Sequence, residues 1–391
     1  MATTKKNNKD YKYGLLGSKK KLGVNFWRFI FNSTEKISGT EQIFIIELEM
    51  LNPWLSPSEP LLGFKPRVAV TEDDLQYALA GTSSAKELKS ENIIQPSYLA
   101  IRVCKLGSEP KQVCSYHALK DVHFSNKPFT IQTDNKTFSD EQLSGCISLS
   151  EADCQKHPEY LCDKGYASWN LKYEVIRDIG IGYDSGTERW FPAGIKTNFI
   201  GTINFDGADY IVEPRKCFGY MDRYWGRSFP YTWFHISSAN FTSIISGRTL
   251  FDSFFSIQGS FNDKVAFVGS FEGSDIIFPA DMNKRQYSCV WDCVQTPENE
   301  DVEENKLHWS VSINNKSWVI DIDLYCKIKE LYNRTIELPE GQRKVLNLVQ
   351  GATGTGEIKL FKKNKNTLEQ IEYANITKAI CEFGHEEDGD L

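Results

Sequence analysis

The sequence is poor in histidine. Its six histidines (His117, His123, His157, His235, His308 and His385) form no i,i+2 or i,i+4 pair, the spacings at which strands and helices present metal ligands. Cys289 and Cys293 have no second Cys/His pair at zinc spacing, so no metal site is expected. Also missing are a Gly-x-Ser-x-Gly elbow, a His-Glu-x-x-His helix, a Walker loop and a Gly-x-Gly-x-x-Gly turn. Gly351, Gly354 and Gly356 lack phosphate-loop spacing and read as a turn, and no cofactor is expected. No apolar run approaches the ~20 residues of a membrane span, which excludes an integral membrane helix and leaves peripheral contact with a membrane surface open. Positive charge is not in excess. The formal net charge is −7, so nothing global favours a nucleic-acid partner. The stretch from Met1 to Lys9 is polar and does not read as a signal peptide. The ten cysteines then read as reduced thiols of a cytoplasmic protein rather than a disulfide framework.

What the chain does contain is aromatic residues, 13% of the total, in runs of strand character. Val24–Asn32 and Gln42–Met50 flank a polar turn with Gly39 and read as a hairpin. Five prolines between 53 and 96 exclude long strands there, and Asp73–Leu79 reads as a short helix or turn. Tyr98–Lys105, Val122–Thr133 and Trp169–Ile179 read as strands. Ser150-Glu-Ala-Asp carries a helix N-cap signal. Trp190–Tyr210 reads as a second hairpin turning at Asp206-Gly207. Further strands follow to the C-terminus, interrupted by an acidic loop over 297–304. A weak internal repeat pairs Trp27 with Trp233 and Ser38-Gly39 with Ser246-Gly247, suggesting two related β units.

The densest stretch lies between those units, from Phe218 to His235. As a strand it would place Tyr220, Asp222 and Tyr224 on one face and Met221, Arg223 and Trp225 on the other. A carboxylate among aromatic rings is costly to bury without a partner or a use.

This stretch, Gly219-Tyr-Met-Asp-Arg-Tyr-Trp-Gly226 with Phe229-Pro230, Trp233 and Asn240-Phe241, resembles the central signature of the tocopherol cyclase-like family. Members read Gly-Tyr-x-Glu-Lys-Asn/Asp-Trp-Gly-x-x-Phe-Pro. Asp222 replaces the usual Glu, Arg223 the Lys and Tyr224 the Asn or Asp. The Asp-x-x-Trp-Gly form is also similar to the wider lipocalin-like group of carotenoid hydratases and cyclases. The resemblance implies a cofactor-independent cyclase or isomerase acting on a prenylated quinol or other polyene. A non-catalytic carrier of a hydrophobic small molecule is the alternative.

Protonating an alkene needs an acid kept neutral near pH 7, and desolvation among rings pushes a carboxyl that way. Ring faces would then stabilise the cation by roughly 0.5–2 kcal/mol each. Asp222 is the candidate acid, with Tyr220 beside it and His235 as a candidate proton relay. The residues read more readily in structural roles, Asp222 as one half of an ion pair with Arg223 or Arg227 and His235 as a satisfied core histidine. Candidate ligand contacts are Trp27, Trp190, Arg223, Tyr224, Trp225, Trp233 and Asn240; Trp27 and Trp190 read more readily as core than as ligand walls.

The expected architecture is all-β: two lipocalin-like antiparallel barrels or half-barrels enclosing an apolar cavity. Residues 1–13 are read as a disordered tail, 14–230 and 231–384 as the two β domains, and 385–391 as an acidic tail. One continuous sandwich is the alternative.

Overall fold

A computed structural model of the chain describes residues 23–62, 95–126, 128–157, 160, 162–177, 179, 182–185, 188–214, 218–229, 232–261, 264–278, 287–296, 305–341, 344–365 and 367–388. The strands between Val24 and Gly226 form one 13-stranded sheet, and those between Thr232 and Asp388 form an 11-stranded sheet. Neighbouring strands run antiparallel, as in Val24–Glu35 with Glu41–Leu51 and in Lys344–Asn364 with Thr367–Asp388. The protein is all-β, with a closed barrel and a half-barrel. The sequence signature falls where the chain leaves one sheet for the other.

Alternation along the opening strand, Val24–Glu35, explains how the two units meet. Trp27, Phe29 and Phe31 point into the first unit and pack with Phe44, Ile46, Leu48, Phe138 and Phe199. Phe26, Arg28, Ile30 and Asn32 occupy the other face, which the second sheet covers. Ile30, with Ile45, Ile195 and Tyr220, joins one apolar cluster with Phe234, Phe255, Ile257 and Ile380. The strand is therefore buried on both faces down to Ser33. That is why large apolar residues stand on both of its faces, Phe26 and Ile30 on one and Trp27, Phe29 and Phe31 on the other.

The signature strand, Gly219–Gly226, lies between the opening strand and the long strand Arg189–Phe205, with Ile30 opposite Tyr220 and Arg28 opposite Asp222. All eight of its residues are buried. Gly219 is required here, because a Cβ would lie 2.5 Å from the Ile30 carbonyl oxygen and from the Phe199 ring.

Several expectations meet the structure differently. The 122–133 segment is two short strands, His123–Asn126 and Phe129–Thr133. Pro128 stands between them and has no N–H to give a ladder. The last strand continues to Asp388, past the expected start of an acidic tail at 385. Lys111–His117 is a strand that turn and aromatic signals did not mark. The Ser150 N-cap is present, with Asp153 closing a capping box over the helix Glu151–Lys156. The suggested repeat is out of phase: Trp27 faces its own barrel, whereas Trp233 faces the seam with His235. The tail at 1–13, Asp73–Leu79 and the acidic loop at 297–304 lie outside the described residues.

Candidate functional site at the seam between the sheets

Four strands, two from each sheet, converge on the seam. The opening strand supplies Arg28, the signature strand Tyr220 and Asp222, and the strands Thr232–Ser238 and Thr367–Asp388 supply His235 and Glu382. Arg28 lies across from Asp222 in register, so the two side chains emerge side by side. Arg28 Nε donates to Asp222 Oδ1 at 3.0 Å, and its Nη2 donates to Oδ2 at 2.6 Å. Its Nη1 donates to Glu382 Oε2 from the other sheet. One guanidinium thus bridges two carboxylates across the seam, and all three side chains are at most 2% exposed.

Asp222 accepts two further bonds, from the Tyr220 hydroxyl at 2.8 Å and from Trp190 Nε1 at 3.0 Å. Every partner is a donor, which is the surrounding of an ionised carboxylate. The ion-pair partner is Arg28, and neither arginine weighed from the sequence. Arg223 points to the opposite face, as alternation requires. There it lies over the Trp27 ring at 5.0 Å and donates to Asn25 Oδ1 at 3.0 Å.

His235 sits inside this cluster. Its Nδ1 is 3.1 Å from Glu382 Oε2, and its Nε2 lies 3.0 Å from the Tyr220 oxygen and 3.1 Å from Ser256 Oγ. Burial, with the nearby Arg28 charge, holds His235 below its ordinary range and keeps it neutral. A proton on Nδ1 serves Glu382, which can only accept, and leaves Nε2 to accept from a hydroxyl; a proton on Nε2 instead lets Nδ1 accept from Arg28 Nη2 at 3.2 Å. Burial opposes the charge on Glu382, but Arg28 and the His235 bond outweigh it and hold its carboxyl well below the usual range. Gln350 extends the chain, donating to Glu382 Oε1 at 2.5 Å and to Glu47 Oε1 at 3.0 Å. Glu47 pairs with Arg334.

These shifts set a pH dependence. In the unfolded chain His235 gains a proton near its ordinary value of 6.5, while the folded protein holds it neutral. Stability is therefore full above that pH and falls as pH drops. Glu382 adds a second loss below its ordinary 4.5. His117, lowered mainly by burial to about 4, shares the upper window. Denaturant unfolding across this range should show two phases of destabilisation, and His235→Gln should reduce the upper one while keeping the lower. An unchanged upper phase would remove His235 from the account.

Beside the network a small cleft opens between the sheets, with an enclosed volume of about 30 Å³ behind an open mouth. Ile30, Ile43, Ile195, Phe218 and Ile380 form much of its wall, with Tyr220, Asn32 and Asn240 among them. Tyr220 thus belongs both to the cleft and to the charged network.

The other expected contacts divide by face. Trp190 and Trp233 reach the network, Trp233 donating to Glu382 Oε2 at 3.4 Å, and Asn240 lines the cleft. Tyr224 packs on Phe229, centroids 5.5 Å apart, and donates to Glu188 Oε1 at 2.7 Å. Trp27 stacks on Phe129 inside the first barrel. Trp225 lies under the Arg189 guanidinium at 5.3 Å, clustered with Phe191 and Ala193. Sequence reasoning missed Arg28, Glu382, Ser256, Gln350, Glu47 and Asn32. The available signal was a charge or amide at an inward position of an apolar run, as in Phe26-x-Arg28-x-Ile30-x-Asn32.

Among known proteins, no family model matches the chain and no curated protein matches it. Two crystal structures align along most of its length. One is an AttH candidate from Nitrosomonas europaea, 10% identical, covering 91% of this chain and 93% of its own, with a TM-score of 0.42. The other is kievitone hydratase from Nectria haematococca, 12% identical, covering 95% and 92%, with a TM-score of 0.40. The described residues contain no helix long and apolar enough to cross a membrane, and no cluster of three or more His, Cys, Asp or Glu able to hold a metal. All nine described cysteines are free thiols.

Proposed function

We propose that the protein binds a hydrophobic small molecule in the cleft between its two sheets. The observation that carries this reading is the cleft itself, an apolar wall opening beside a sealed polar network. Its enclosed part, about 30 Å³, holds roughly two water-sized groups, so only the tip of a lipophile enters it and the remainder lies along the open mouth. No carboxyl side chain lines it. Asp222 and Glu382 stand behind it, each held by Arg28. A carboxylate that neutralises a guanidinium has no proton to give an alkene, so the carrier reading comes first.

The second reading is a cofactor-independent cyclase or isomerase acting on a prenylated quinol or other polyene. Tyr220 favours it, because the residue lines the cleft and its hydroxyl meets Asp222 and His235. In ring closure Tyr220 would give its proton to the alkene, and the quinol oxygen would bond the resulting cation and return its own proton to the phenolate. Burial, and then the Asp222 carboxylate, push this phenol well above its ordinary value. It is a weak acid for that step, which places the enzyme second.

Lipid extraction of purified protein with mass spectrometry, followed by incubation of the captured molecule with wild type and Tyr220→Phe, separates the two. The carrier reading expects the molecule unchanged by both. Conversion by wild type and its loss in Tyr220→Phe would establish the enzyme.

A further inference from the structure

Asn32 lies on the seam face of the opening strand, two positions beyond Ile30, and its side chain lines the cleft. It is 7% exposed, and among the described residues neither its amide nitrogen nor its amide oxygen has a hydrogen-bond partner. An unpaired buried amide is unfavourable in a fold, and Asn32 leaves both ends of one unsatisfied. The surrounding polar side chains do not serve it. Ser237 Oγ donates to the Phe255 carbonyl at 2.8 Å, and Ser238 Oγ donates to the Thr377 carbonyl at 3.1 Å. Ile30 and Ile43 flank it on the same wall, Ile43 directly across in register.

Resting on the cleft as the binding site, we propose that Asn32 reads the polar end of the ligand. A side-chain amide offers a donor and an acceptor side by side. Its complement is a group presenting an acceptor and a donor in the same plane, so the ligand class is a lipophile ending in a carboxamide. The apolar remainder lies along Ile30, Ile195 and Phe218. A group that only accepts, such as an ester, satisfies the Asn32 nitrogen and leaves its oxygen unpaired. Selectivity arises from that unmatched atom, because a site built to pair a group rejects the analogue lacking it.

The test uses a long-chain primary amide and the methyl ester of the same chain, titrated against the full-length wild type and Asn32→Leu, which keeps the branched four-atom shape and removes both polar atoms. Wild type is expected to bind the amide at least ~10-fold more tightly than the ester, a difference of about 1.4 kcal/mol. Asn32→Leu should bind both alike, with ester affinity kept or improved, and the unliganded variant should melt no lower than wild type. Equal binding of amide and ester by wild type would overturn the role of Asn32 while leaving the cleft intact. Failure of wild type to bind either probe would overturn the cleft reading itself. A variant that retains the amide preference would place the recognition elsewhere.

Discussion

Arg28→Met is expected to destabilise the protein by about 3–5 kcal/mol, the usual cost of breaking a buried ion pair from one side. For units of this size that lowers the melting temperature by on the order of 10 °C. Methionine fills much of the same space, so lost packing contributes little. The cost comes from Asp222 and Glu382, at 2% and 0% exposure, which keep their charges and lose the cation between them. Because Asp222 belongs to the first sheet and Glu382 to the second, the loss falls on the joint between them. Adding Asp222→Asn and Glu382→Gln should restore part of the stability, since a buried charged triad can be replaced by neutral groups at little net cost. Denaturant unfolding of the single and triple variants checks this. A single variant within about 1 kcal/mol of wild type would show that the bridge is not what holds the seam.

Asp222→Asn alone should also destabilise, by about 2–4 kcal/mol, a range bounded by the cost of one unsatisfied buried group and of a broken pair. Four donors converge on this carboxylate: two from Arg28 and one each from Tyr220 and Trp190. An asparagine carbonyl can replace Oδ2 and keep three of them, but its NH₂ then meets Arg28 Nε, donor against donor. The general-acid reading expects the reverse, an unchanged melting temperature with turnover reduced ~10²–10⁴-fold. Measuring melting temperature and ligand affinity together distinguishes the two. Trp225→Phe is the control. It sits on the far face beneath Arg189, so it should leave ligand affinity within about twofold of wild type.

The faces of the signature strand were legible in the sequence because side-chain period two is a property of the backbone alone. Tyr220 and Asp222 do point together, and Arg223 does point away. The strand's partners were not legible. Arg28 is 194 residues from Asp222 and Glu382 is 354 residues from Arg28, and nothing local encodes pairing across two sheets. The aromatic residues misled in a specific way. Trp27 and Trp225 share the signature's composition, but alternation places them on faces that do not meet the cleft. Asn32 was overlooked because an asparagine near the end of a strand reads as turn chemistry, and only its burial on the seam gives it another meaning. The all-β class followed from strand-forming runs and tight turns. The Lys111–His117 strand did not, since its polar residues are stabilised by neighbours and not by their own propensity.

The most direct measurement of the central claim is equilibrium titration with a fluorescent long-chain lipophile, comparing wild type with Ala239→Trp. Ala239 lines the cleft and is 9% exposed, so a larger side chain there fills the free space from its edge while every residue of the charged network is kept. The cleft account predicts saturable one-to-one binding by wild type and at least a ~10-fold loss in Ala239→Trp, about 1.4 kcal/mol, with the variant still folded. Equal saturable binding by both proteins would place the ligand outside the cleft and contradict the account.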